Sequence, residues 1–195
     1  MQLPENVEKL RIFNKLKSVY RFAKVRDEKF QRNESSAEHT WNCLVVADVI
    51  MSEFNYDVNR LKVYELLMYH DLVEVHAGDF PLHDLKTHDK KKQKQEIELL
   101  SAQKLTQELP PSISSKFYTL FEEFEEAQTI EAKLANVVDK FEAIIHEISY
   151  KDNWKGWTKE FTLTKVDSSF DEFKEIKVLM LEIIEYLDEE GYFEE

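Results

Sequence analysis

Positive charge is in short supply. Lysine and arginine total 26 against 39 aspartates and glutamates, a formal net charge of −13 over 195 residues. No nucleic-acid polymer is therefore expected as a partner, because that role needs a basic surface. A small anionic substrate stays open, since a bound metal ion reverses the field around itself. Cysteine occurs once, at Cys43. That excludes an intrachain disulfide and suits a reducing cytoplasm. No apolar run approaches the ~18 residues of a membrane span, so no membrane partner is expected. The stretch from Met1 to Lys17 mixes charges and lacks the apolar core of a signal peptide. Glycine and proline number only 3 and 4. Sheet proteins need many turns, and turns need these residues, so their scarcity points to long helices.

What is present fits a globular chain: 43% apolar and 33% charged residues. The length matches one domain on the usual ~100–200 residues. Apolar spacing predicts a first helix from Pro4 to about Phe22. Arg26 to Asn33 reads as a loop. Ser35-Ser36-Ala37-Glu38 has the capping-box pattern that starts a helix. That helix should run to Phe54, with Cys43 to Met51 deep in the core. A third helix is expected from Val58 to Val75, ended by Gly78 and Pro81. Pro81 to Asp89 is a polar loop, and the lysine run Lys90 to Lys94 reads as a solvated helix start. Further helices are expected over Lys90–Glu108, Ser112–Ala127, Glu131–Tyr150 and Ser168–Glu189, with Asp152 to Lys165 irregular. No linker separates domains. The expectation is all-α: a single compact bundle of six or seven helices over residues 1–195, with the N- and C-terminal helices packed on a core of about 36–150.

Three His-Asp dipeptides occur where composition predicts about 0.4. His83-Asp84 and His88-Asp89 fall in the polar loop and read as solvated. His70-Asp71 lies in an apolar helix, where both side chains must pair, hydrogen-bond or hold a metal. His39 sits in the first turn after the capping box. Asp139 is flanked by Val137, Val138 and Phe141, an expensive setting for a carboxylate without a cation. Two imidazoles and two carboxylates on separate helices suit a divalent first-row metal. The other reading is that His70 and Asp71 merely satisfy each other.

The ordered blocks extend this pattern. Arg32-Asn33-Glu34-Ser35-Ser36-Ala37-Glu38-His39, His70-Asp71-Leu72-Val73-Glu74, Gly78-Asp79-Phe80-Pro81 and Val138-Asp139-Lys140-Phe141-Glu142 resemble the HD-domain superfamily of metal-dependent phosphohydrolases. The branch they are most similar to is the 5′-deoxynucleotidases, and the resemblance runs from about Leu10 to Tyr150. It implies an HD-domain fold and an enzyme that cleaves deoxynucleoside 5′-monophosphates to nucleoside and phosphate. His39, His70, Asp71 and Asp139 match the metal ligands for one ion, with manganese, cobalt, iron, nickel and zinc all compatible. Glu74 matches a catalytic glutamate that orients or deprotonates water or protonates the leaving 5′ oxygen. Asp79 matches a site aspartate that contacts the sugar or aids proton transfer. Arg21 is the best match for the phosphate-binding arginine. Arg26 and Arg32 are also candidates, and Arg32 has the alternative of bracing Glu38. The resemblance further implies a homodimer. Two other readings stand beside it. One is an HD hydrolase of cyclic nucleotides, nucleoside triphosphates or alarmones. The other is a non-catalytic helical metal-binding interaction module.

Overall fold

The computed structural model describes residues 3–26, 30–80 and 88–194. The first departure from expectation comes early. Helix α1 (Glu5–Leu10) and α2 (Ile12–Lys15) tighten into a 3-10 turn at Leu16–Ser18, and then the chain becomes extended. Strand β1 (Tyr20–Arg26) pairs antiparallel with β2 (Gln31–Ser35). The helix expected to Phe22 therefore stops short, and the loop expected over Arg26–Asn33 is half strand. Side chains hold the hairpin: Asn33 Nδ2 donates to the Arg21 carbonyl at 2.7 Å, and Lys24 Nζ donates to Asn33 Oδ1 at 2.5 Å. Such cross-strand contacts are invisible to a helical periodicity count. The ladder register shifts between Tyr20 and Lys24. Irregularities of this kind re-aim side chains, and Arg21 lies within it.

Helix α3 (Ser36–Glu53) starts where expected. Ser35 caps it, and Glu38 returns a carboxylate oxygen to the Ser35 N–H at 2.9 Å. Its middle is less deeply placed than expected. Cys43, Ala47, Ile50 and Met51 are buried, but Val45 is 43% exposed, Val49 60% and Trp41 64%.

Helix α4 (Arg60–Tyr69) does not continue to Val75. It tightens into a 3-10 segment at His70–Val73, followed by α5 (Glu74–Ala77). Gly78 then adopts φ 74°, a conformation that only glycine takes at little cost, and reverses the chain. Residues 81–87, including His83 and Asp84, lie outside the described residues. Helices α6 (His88–Glu108), α7 (Pro111–Glu126) and α8 (Ile130–Ile148) follow closely on expectation. Proline stands in the first turn of α7, where its missing N–H costs nothing. The segment expected to be irregular holds a 3-10 turn (Lys151–Trp154) and the short α9 (Lys159–Leu163). The last expected helix is interrupted: a 3-10 turn (Ser168–Glu172) precedes α10 (Lys174–Glu189).

The architecture is mostly helical. Helices α3, α4 and α8 pack on one another. Cys43, Leu66, Leu67, Val137 and Val138 form the seam, closed from outside by Ile176 and Met180 of α10. Truncating Leu66, fully buried, would cost about 2–5 kcal/mol. A second cluster joins Ile12, Leu72, Val73, Leu105 and Phe117. The three-helix seam is the rigid frame on which the polar residues sit.

Candidate metal centre and adjoining cavity

The four proposed ligands come from α3, from the 3-10 segment that follows α4, and from α8, and they meet. The capping box fixes the first turn of α3, so His39 projects inward and is fully buried. Its Nε2 lies 2.8 Å from Asp139 Oδ1 on α8 and 3.9 Å from Asp71 Oδ2. His70 Nε2 lies 3.2 Å from Asp71 Oδ1 and 3.7 Å from Asp139 Oδ1. His70 Nδ1–H donates to the Leu67 carbonyl at 2.7 Å. That bond sets the tautomer and frees the Nε2 lone pair. Nε2 is buried without a hydrogen-bond partner.

Carboxyl groups outnumber fixed cations here. Burial alone would raise Asp139, yet the imidazoles of His39 and His70 hold it well below the ordinary carboxylate range. His39 has a carboxylate at each ring nitrogen: Asp139 at Nε2, and Glu142 Oε2 only 2.5 Å from Nδ1. Without a cation between them, the ring must carry a second proton to satisfy both. A divalent ion in the same space would take that proton's place and give the orphaned His70 Nε2 a partner. The donor set thus fits a metal ion. Glu142 supplies the carboxylate-to-imidazole bond that orients a metal-ligating histidine.

Cys43 joins the group. One donor atom each from His39, Cys43, His70 and Asp139 lies within 4.8 Å of the others. Burial pushes the Cys43 thiol up to about 12. A buried neutral thiol is a poor ligand beside the Asp71 carboxyl, so Cys43 is better read as packing against the His39 ring.

Glu74, one turn beyond His70, is buried and accepts from Ser36 Oγ at 2.5 Å. Burial first, then Asp71 and Asp79, push its pKa well above the usual carboxyl range. Arg21 enters from β1: Nη1 is 3.5 Å from Asp71 Oδ2 and Nε 3.4 Å from Glu34 Oε2. Its Nε is buried and makes no hydrogen bond. The surrounding Asp71, Asp139 and Asp79 outweigh the burial that opposes its charge. Asp79 Oδ2 accepts from the Phe22 N–H at 3.3 Å. Arg32 goes elsewhere. It forks onto Glu38 at 2.8 and 2.5 Å and is 41% exposed, so it braces the helix cap and does not reach the centre. Arg26 stacks on Tyr150, its guanidinium 4.9 Å from the ring.

Two buried glutamates have no role in the sequence analysis. Glu142 and Glu34 both lie inside the motif blocks already quoted, and their burial at 3% and 2% is the sign that they serve a site. Lys94 was read as solvated. It pairs with buried Glu98 at 2.8 Å, and its charge is felt at Asp71 and Asp79. His146 Nε2–H donates to the Lys24 carbonyl at 2.9 Å, and Nδ1 faces Glu34 Oε1 at 3.5 Å. His76 Nε2 lies 2.8 Å from Glu108.

Beside the cluster lies a cavity of about 90 Å³ that opens to solvent. Arg21 and Asp79 form its inner wall, and its far side is built from the end of α8 and the Lys151–Trp154 turn.

Comparison with known proteins bears on this arrangement. The family model described as "HD domain" matches residues 13–177. The bovine (Bos taurus) 5′-deoxynucleotidase HDDC2 is 29% identical over 174 residues, covering 88% of this chain and 80% of that protein. The human (Homo sapiens) 5′-deoxynucleotidase HDDC2 is 30% identical over 144 residues, covering 73% and 67%. The crystal structure of a predicted metal-dependent phosphohydrolase from Magnetospirillum magnetotacticum MS-1 superposes with a TM-score of 0.80 at 26% identity, covering 98% of this chain and 95% of that one.

Proposed function

This chain belongs to the HD-domain family, and from that premise we propose that it releases phosphate from deoxynucleoside 5′-monophosphates, using one divalent metal ion held by His39, His70, Asp71 and Asp139. The coarser assignment, a metal-dependent phosphohydrolase, is firm. The finer one is supported by the 5′-deoxynucleotidase relatives and by the cavity beside the cluster. The observation that carries the metal role is the buried, unpartnered Nε2 of His70 facing two carboxyls.

A divalent ion bound there supplies Lewis-acid charge and a water of lowered pKa. The protein's own residues do the rest. Arg21 is a fixed, protonated donor at the rim of the cluster, placed to hold phosphate oxygens. Ser36 donates to one Glu74 oxygen and so orients the carboxyl. Glu74, its carboxyl pushed well above the usual range by burial and by Asp71 and Asp79, is suited to deliver a proton to the departing 5′ oxygen. Asp79, tied to the Phe22 N–H, is placed to meet the sugar. Glu142 keeps the His39 ring in register without touching substrate.

Homodimerisation in the cytoplasm belongs to the same proposal. It is supported by the family resemblance and by the exposed stripe of Trp41, Val45 and Val49 on α3. No helix of the described residues is long and apolar enough to cross a membrane.

The test is phosphate release from paired deoxy- and ribonucleoside monophosphates, with a cyclic nucleotide and a triphosphate alongside, by stripped protein resupplied with single divalent ions. Turnover confined to the deoxynucleoside monophosphates supports the proposal. Turnover only of the cyclic or triphosphate compounds overturns it. Light scattering on the same preparation reads the oligomeric state.

A further inference from the structure

Besides Arg21 and Asp79, the cavity has polar lining at Glu34 and His146, which face each other at 3.5 Å, and at a corner formed by Glu147 and Asn153. Asn153 Nδ2 donates to Glu147 Oε2 at 2.7 Å, which fixes the amide and turns Oδ1 away from that bond. Trp154 Nε1–H donates to the Glu147 carbonyl at 2.9 Å and locks the turn onto the end of α8. Among the described residues, Glu147 Oε1 and Asn153 Oδ1 then have no hydrogen-bond partner. Both residues line the cavity, and both free atoms are acceptors. The adjoining wall is aromatic: Trp154 and Trp157 stand edge to face with centroids 5.5 Å apart. A flat ring with N–H groups along one edge is the shape and polarity this corner accommodates. Arg21 and Asp79 line the same cavity, so a phosphate at the cluster and a ring in this corner can belong to one molecule.

We propose that Glu147 and Asn153 read the nucleobase of the substrate, and that they favour bases whose edge presents N–H donors. Guanine, with two adjacent donors, fits best. Thymine, whose single N–H is flanked by two carbonyls, meets the acceptor pair with like against like and fits worst. The inference rests on the monophosphate reading above for its direction, phosphate at the cluster and base in the corner. Trp157, half-buried, supplies ring surface and gives the site its own reporter.

The experiment is a tryptophan-fluorescence titration of the full-length, metal-stripped protein with deoxyguanosine and with thymidine. Neither turnover nor metal is involved. Deoxyguanosine should quench saturably and bind about tenfold more tightly than thymidine, the scale of one good edge contact. In Glu147→Gln and in Asn153→Leu that preference should shrink to about twofold or less, with far-ultraviolet circular dichroism unchanged. Equal affinity for both nucleosides, no saturable quench, or a preference that survives in both variants overturns the inference. Phosphate release by the wild-type protein is measured separately. Release without base preference removes the base-reading role alone. Base preference without release from any monophosphate removes the phosphatase reading alone.

Discussion

Replacing Glu142 by glutamine isolates what a buried carboxylate does for the His39 ring. Glu142 is 3% exposed and its Oε2 lies 2.5 Å from His39 Nδ1. The substitution keeps shape, and the amide oxygen still accepts the Nδ1 proton. What disappears is the negative charge that makes Nε2 a stronger electron donor and pins the ring toward Asp139 and Asp71. Losing such a partner costs about 10–100-fold in metal affinity. At ~1.36 kcal/mol per decade that is about 1.4–2.7 kcal/mol. Glu142→Ala should cost more, because Nδ1 is then a buried donor with nothing to receive it, a further ~1–3 kcal/mol of folding stability. The assay is competition for zinc between stripped protein and a chromophoric chelator, with thermal melts of each metal-free variant. Wild-type metal affinity in Glu142→Gln, alongside clear loss in Asp139→Ala, would refute the reasoning. It would mean that the ring is oriented by packing alone and that the carboxylate contributes nothing to ligation.

Three further outcomes follow from the same geometry. Arg21→Ala should lower kcat/KM for a monophosphate by about 100–1000-fold, with Arg21→Lys recovering part of it, because a fixed donor to the phosphate is removed; steady-state kinetics decides. Arg32→Ala should leave kinetics within about twofold and cost ~1 kcal/mol or less, as exposed pairs do. Hydrogen bonding to Arg32 holds Glu38 down at about 2, so the pair's contribution is present above the free-glutamate range near ~4.3 and is lost as pH falls through that lowered value. Acid unfolding of Arg32→Ala should therefore begin at higher pH than in wild type. Glu74 has the opposite sign. Its pKa is raised by burial and by Asp71 and Asp79, so stability is full below the free-glutamate range and falls as pH rises through the raised value. Denaturant unfolding of the metal-free protein should show that decline, and Glu74→Gln should flatten it.

The long helices were legible because their signals are local. Ser35 and Glu38 start α3, and Gly78 ends the His-Asp segment with a positive φ. The hairpin was not legible, because helical spacing carries the first helix on to Phe22 while the strand depends on pairing with β2 and on Asn33, twelve residues from Arg21. The tightening at His70 was likewise hidden, since it depends on an imidazole bond to Leu67 that a linear pattern cannot show. The same logic divides the site. His39, His70, Asp71 and Asp139 stand out as polar residues in apolar helices and come together. Arg21 is the better match in sequence, with Arg26 and Arg32 left as candidates, and the structure puts Arg21 at the centre and Arg32 on the helix cap. Glu147 and Asn153 carry no motif; their pairing across the end of α8 exists only in three dimensions.

The central claim is that one ion, held by these four residues, makes the chain a phosphatase. The most direct measurement strips the protein with a chelator, adds back manganese or cobalt in graded amounts, and follows phosphate release from a deoxynucleoside monophosphate against bound metal. Activity should be absent after stripping, rise in proportion to bound metal, and level off at about one ion per chain, the number that one set of four ligands accommodates. His70→Ala and Asp71→Ala should show no recovery. Turnover that survives stripping, or that returns equally in those two variants, would contradict the claim.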